Sequence, residues 1–234
     1  MSIVENIQEI RQRIETAAVA SGRRADKITL VGAAKMNPAA AVQEAIRAGI
    51  DAIGENRVQE LMEKQEQNAY TGAPLHLIGH LQKNKVKYVV GVVDLIESVD
   101  SEELLHVIAA RAKKLDIVQD VLLEINIAGE ASKSGMAPEV LPSVLQAAAN
   151  YPSVHVRGLM AIPPISHESG ENRVYFARMY QLFVDIKAKK YDNVTMDFLS
   201  MGMSGDFEDA ILEGANMVRI GSAIFGARTY PVRH

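Results

Sequence analysis

The chain has 234 residues, 48% of them hydrophobic and 23% charged, with a formal net charge of −4 and no cysteine. That length suits one large α/β domain or two small ones. The acidic balance argues against a nucleic-acid-binding face, and the lack of cysteine excludes disulfides, thiolate catalysis and cysteine-based zinc sites.

The opening Met1-Ser-Ile-Val-Glu-Asn-Ile-Gln-Glu-Ile10 has neither the basic start nor the unbroken apolar run of a signal peptide. No stretch approaches the roughly 18 apolar residues of a membrane span, so a cytoplasmic protein without membrane contact is expected. Ile3, Ile7, Ile10, Ile14 and Ala18 fall at helical spacing and predict a first helix that ends at Ser21-Gly22. The apolar run 28–34 then reads as a buried parallel strand that stops at Lys35. Pro38 opens a helix over 39–48, closed by Gly49.

The same alternation continues to the end. Further strands are expected at 52–54, 75–79, 95–99, 118–127, 156–162, 195–201 and 217–225. Helices are expected between them at 57–68, 83–90, 101–115, 138–150, 171–189 and 206–213. Eight βα units predict an α/β fold, a single (β/α)8 TIM barrel with an extra N-terminal helix, occupying 1–234 as one domain. An open doubly wound sheet is the alternative. The short tail 227–234 after the eighth strand favours closure, because the first helix would then cover the seam between strands eight and one.

Parallel barrels bind ligands where strands end. Lys35 stands there after seven largely aliphatic residues. Desolvation at a barrel rim would favour the neutral amine that condenses with an aldehyde, whereas a lysine that merely snorkels outward is the plainer reading. Ser200-Met-Gly-Met-Ser-Gly205 follows strand seven, and Gly221-Ser222 follows strand eight. Small residues in those two loops let backbone N–H groups approach a phosphate, and barrels often hold phosphates at that position. Arg219, inside an apolar strand, needs a partner, either an acid such as Glu55 or a ligand atom. Asn56 either contacts a ligand or caps the helix that starts at Arg57. His76 and His80 lack an evident third ligand and are expected to be ordinary histidines rather than a metal site. The Lys83, Lys85, Lys87 cluster reads as a solvated helix face.

Seven segments together resemble the pyridoxal phosphate homeostasis protein family, free-standing relatives of the alanine racemase N-terminal barrel. They are Ala34-Lys35, Gly54-Glu-Asn-Arg-Val-Gln-Glu60, His76-Leu-Ile-Gly-His-Leu-Gln-Lys-Asn-Lys85, Ser132-Lys-Ser-Gly135, Gly158-Leu-Met-Ala-Ile162, Leu199-Ser-Met-Gly-Met-Ser204 and Val218-Arg-Ile-Gly-Ser-Ala-Ile-Phe-Gly226. The resemblance runs through essentially the whole chain. It implies pyridoxal 5′-phosphate (PLP) as a Schiff base on Lys35. It also implies a phosphate held by Ser200, Gly202, Ser204, Gly221 and Ser222, Arg219 facing the pyridine nitrogen, and Asn56 near the ring. Two departures stand out: Ala34 where a serine is common, and Ser222 where a threonine is common.

The implied role is a carrier or regulator of vitamin B6 pools that affects amino-acid and keto-acid balance without turnover. Apo-PLP enzymes are then candidate recipients, and a monomer or weak homodimer is expected. A PLP-dependent amino-acid racemase is the alternative. Racemisation needs a base on each face of Cα, and Lys35 supplies one. In alanine racemases the opposing tyrosine comes from a C-terminal domain of the partner subunit, and this chain ends at His234. An arginine at the pyridine nitrogen would also weaken the ring as an electron sink. A barrel enzyme acting on a phosphorylated sugar, with Lys35 as nucleophile, would explain the phosphate loops but not the family match.

Overall fold

Ser2 starts the first helix. Its hydroxyl accepts the Glu5 N–H while the Glu5 carboxylate accepts the Ser2 N–H, a reciprocal cap that satisfies two otherwise orphaned donors. The helix that follows, α1 (Ile3–Ala20), buries Ile7, Ile10 and Ile14 on one face, each contributing about 1.5–3 kcal/mol of apolar burial. The computed structural model describes residues 1–130, 133–165 and 168–226. Ser132 and the 227–234 tail, both invoked above, lie outside these residues.

The remaining elements run β1 (Thr29–Ala33), α2 (Ala39–Arg47), β2 (Ala52–Glu55), α3 (Val58–Glu66), β3 (Leu75–Leu77), β4 (Leu95–Val99), α4 (Glu102–Lys114) and β5 (Gln119–Glu124). They continue with α5 (Leu141–Ala148), β6 (Val154–Met160), α6 (Arg173–Ala188), β7 (Val194–Ser200), α7 (Phe207–Leu212), β8 (Met217–Ile220) and α8 (Ser222–Phe225). The strands pair in sequence order, all parallel, and β1 closes on β8 through Val31 opposite Arg219. The eight-stranded closed barrel is the architecture expected, and the open sheet is excluded.

Two expected elements differ in kind. The segment after β3 is a 3₁₀ helix, Lys83–Tyr88, rather than an α-helix. Strand β8 ends at Ile220, and the apolar residues read as its continuation form the short helix α8 instead. An apolar run of this length fits either state, and Gly221 is where the chain switches.

Strand alternation sorts the side chains into two apolar layers. One lies between strands and helices. The other fills the barrel with Val31, Ala52, Leu95, Leu122, Met160 and Met217. Gly158 is required where β6 meets β7: at φ +153°, a Cβ there would sit 1.8 Å from the Phe198 carbonyl oxygen. Helix α1 packs against α2, α7 and α8 beside the β8–β1 seam, as its place in the sequence suggested. Asn6 donates to the Ile224 carbonyl at 2.8 Å, Arg13 bridges Glu208 at 2.7 Å, and Arg23 donates to the carbonyls of Ile211 and Ala215.

Candidate functional site

Parity along the strands decides which polar residues meet. On β1 the inward positions are Val31 and Ala33, and the next in phase is Lys35. On β2 they are Ala52 and Gly54, followed by Asn56. At the C-terminal mouth these registers open a cavity of about 370 Å³. Six residues expected at a site line it together: Lys35, Asn56, Ser204, Arg219, Gly221 and Ser222. Ile78, Ile162 and Met203 supply apolar wall, and Phe225 and Gly226 from the α8 region close one side.

Ser200 and Gly202 do not line the cavity. Ser200, the last residue of β7, is fully buried, and its hydroxyl donates to Glu97 Oε2 at 2.6 Å and accepts from Arg219 Nη1 at 2.6 Å. Gly202 has φ +93°, and a Cβ there would press within 2.6 Å of Ala210 Cβ. Its missing side chain lets the loop pack on α7. The mouth-facing part of that loop is Met203-Ser-Gly205. Asp206 shapes it by accepting the Met203 N–H at 2.7 Å, while Asn172 donates to the other Asp206 oxygen at 2.8 Å. The Ala223 N–H donates to Ser204 Oγ at 3.4 Å, which joins the two loops at one point.

Arg219 does not pair with Glu55. Glu55 points out of the barrel towards α3, where Lys64 Nζ lies at 2.6 Å and the Tyr70 hydroxyl at 3.1 Å. Burial pushes the Glu55 carboxyl up, and its bonds to Lys64 and Tyr70 oppose that. The partners of Arg219 are the Ser200 hydroxyl, the Ala161 carbonyl at 2.9 Å, and the Glu97 carboxylate at 3.8 Å. Burial lowers the Arg219 guanidinium while Glu97 and Glu124 raise it, and an arginine keeps its proton regardless.

Three interior ionisable groups complete this network, and two of them, Glu97 and Glu124, went unread in the sequence. His76 meets Glu97 Oε1 at 2.7 Å through Nδ1, so it is a satisfied buried histidine. His80 lies 3.2 Å from Asp100, with its side chain about half exposed. Among the described residues, no group of three or more His, Cys, Asp or Glu could hold a metal ion. The signal for Glu97 was its phase: Leu95, Glu97 and Val99 alternate along β4, so an inward Leu95 brings Glu97 inward too.

Glu124 is nearly buried, and burial pushes its carboxyl up to about 7, with Asp100 adding to the rise and Arg219 opposing it. The folded protein therefore holds this proton more tightly than the unfolded chain does. Its contribution is fully present below the ordinary value of 4.5 and is lost as pH rises through about 7. Glu124→Gln should change little at pH 4 and gain roughly 2 kcal/mol over the native protein at pH 8. Urea unfolding at the two pH values measures this, and an equal effect at both would refute it.

Residues 2–229 match the family model described as alanine racemase, N-terminal domain. The chain belongs to this family. Over 230 residues it is 42% identical to the pyridoxal phosphate homeostasis protein of Aquifex aeolicus, covering 98% of this chain and all of that one. It is 41% identical over 229 residues to the protein of that name from Pseudomonas aeruginosa, covering 98% and 97%. Among solved structures, PipY of Synechococcus elongatus with PLP bound superposes with a TM-score of 0.83 at 31% identity, covering 96% of this chain and all of PipY. No described helix is long and apolar enough to cross a membrane.

Proposed function

We propose that this chain binds PLP in the mouth cavity, holds it reversibly as a Schiff base on Lys35, and serves PLP homeostasis and amino-acid/keto-acid balance without catalytic turnover. The observation that carries the reading is Asn56. Its Oδ1 is buried against the cavity with no hydrogen-bond partner, and a buried polar atom in that state costs about 1–3 kcal/mol unless a ligand satisfies it. A ring hydroxyl beside a lysine-bound aldehyde carbon is such a ligand.

The rest of the donor set fits. Ser204 and Ser222 offer hydroxyls, and Gly205 and Gly221 line the same cavity without side chains, which suits a phosphate. Arg219, fixed by Ser200 and Ala161, would meet the pyridine nitrogen as a cation that keeps its proton. When bound, the cofactor supplies an aldehyde that condenses with the lysine amine and releases one water. Asn56 and Arg219 orient the ring for that condensation, and the apolar wall of Ile78 and Ile162 limits water around the reacting carbon.

Carrier rather than racemase is supported by the cavity wall. Among the described residues that line it, Lys35 and Arg219 are the ionisable side chains; an arginine keeps its proton, and racemisation requires a second base on the opposite face. Residues 1–234 act in this reading as one cofactor-binding unit, a cytoplasmic monomer or weak homodimer with apo-PLP enzymes as recipients. The purified protein incubated with PLP should show a Schiff-base absorption band that borohydride converts to a stable adduct. In deuterated buffer it should not sustain exchange at Cα of L-alanine. Multiple-turnover exchange would establish an enzyme and sink the carrier reading.

A further inference from the structure

The peptide groups on both sides of Lys35 are gripped by one helix. The carbonyl of Ala34, which precedes Lys35, accepts Lys64 Nζ at 2.8 Å. The N–H of Met36, which follows it, donates to Glu60 Oε2 at 2.8 Å. Glu60 and Lys64 stand four residues apart on α3 and so share a face. Between these two contacts the chain makes a tight turn, closed by the Asn37 N–H on the Ala34 carbonyl at 3.1 Å. Met36 sits in that turn at φ +61°. A side-chain-bearing residue there is held at a cost of about 1–3 kcal/mol, and such costs persist where neighbouring structure enforces them.

Stability alone does not account for the arrangement. Lys64 and Glu55 are both buried, and a buried ion pair of this kind is often matched or surpassed by apolar residues of equal volume. What an apolar pair could not do is bond the Ala34 carbonyl. Glu55, the anchor of Lys64, immediately precedes Asn56, and the Ala34 N–H bonds the Gly54 carbonyl at 2.9 Å. The Lys35 turn and the Asn56 strand end are thus locked to the same ionic cluster.

We infer that Glu60 and Lys64, with Glu55 behind them, are positioning residues that fix the Lys35 turn so that its amine meets the ligand aldehyde over the cavity. This rests on the reading of Lys35 as the Schiff-base lysine. Glu60 acts on the Lys35 turn alone, so its loss leaves the phosphate loops and the ring contacts in place, whereas Glu55 and Lys64 also hold the strand end that carries Asn56.

The test compares PLP with 4-deoxypyridoxine 5′-phosphate, which keeps ring and phosphate but carries a methyl group in place of the aldehyde. Glu60→Ala should lower the Schiff-base formation constant roughly five- to tenfold, the worth of one positioned hydrogen bond. Its affinity for the deoxy compound should stay within about twofold of the native value. Glu60→Gln retains an acceptor oxygen and should restore the linkage. The double variant Glu55→Gln/Lys64→Met avoids a lone buried charge and should lower the Schiff-base constant at least as far, with a smaller loss for the deoxy compound because the Asn56 strand end is released too. Equal losses for both ligands would reduce the cluster to a structural role, and unchanged Schiff-base constants in Glu60→Ala and the double variant would overturn the inference. A native protein that binds both compounds without a Schiff base would overturn the Lys35 reading as well.

Discussion

Lys35→Ala protein should lose the Schiff-base band and the borohydride-fixed adduct completely, yet still bind PLP noncovalently. The lysine contributes the covalent linkage. The Ser204 and Ser222 hydroxyls, Asn56 and Arg219 remain in the same cavity and still recognise phosphate and ring. Removing the linkage should raise the dissociation constant on the order of a hundredfold, about 2.7 kcal/mol. Peptide mapping of the reduced native protein should place the adduct on Lys35. A band of undiminished intensity in Lys35→Ala, or an adduct on another lysine, would refute the assignment. Loss of all binding would show that the phosphate loops hold little by themselves.

Glu97→Ala should be the most destabilising single change in the barrel interior. Glu97 is fully buried, and it accepts from His76 and Ser200 while lying 3.8 Å from Arg219. Removing it strands a buried guanidinium, a situation that costs about 3–5 kcal/mol and should lower the melting temperature by roughly 10 °C for a chain of this size. Glu97→Gln keeps an oxygen for the Ser200 hydroxyl and should cost less. Burial by itself pushes the Glu97 carboxyl up, but His76, Arg219 and Ser200 together outweigh it and hold the group below its ordinary 4.5. The folded protein therefore binds this proton more weakly than the unfolded chain does. The contribution of Glu97 is present above about 4.5 and is lost as pH falls through the lower folded value. The stability gap between native protein and Glu97→Ala should narrow from pH 7 to pH 3 in urea unfolding, and a gap that widened would contradict this network.

The fold was legible because each strand is a short apolar run that ends in polar or glycine-rich residues, and that pattern admits few architectures. Lys35, Asn56, Ser204, Gly221 and Ser222 were legible because they follow the ends of β1, β2, β7 and β8, where barrel loops converge. Ser200 and Gly202, expected to hold the phosphate, do not line the mouth cavity: the serine bonds the interior network, and the glycine lies against α7. Of the two kinds of partner offered for Arg219, Glu55 is removed by parity. Once Asn56 faces inward, its neighbour Glu55 must face outward, and that reasoning was available from the residues. The inward phase of Glu97 could be read along β4, but its meeting with Ser200 and Arg219 depends on the register of β4, β7 and β8, which no single segment encodes. The hold of α3 on the Lys35 turn was hidden for a similar reason, since the left-handed Met36 carries no glycine to mark it.

Helix α1 must wait on synthesis for its packing partners. Its contacts reach 195 residues ahead from Arg13 to Glu208 and 218 ahead from Asn6 to Ile224. At roughly 5–20 residues per second, the ribosome needs on the order of ten seconds or more to deliver those partners. During that interval Ile7, Ile10 and Ile14 have no barrel to cover them, and the nascent chain presents a greasy stripe to whatever is nearby. Closure of the barrel thus waits until β8 has been made. The last strand and α8 arrive together, completing the ring and covering that stripe in one step.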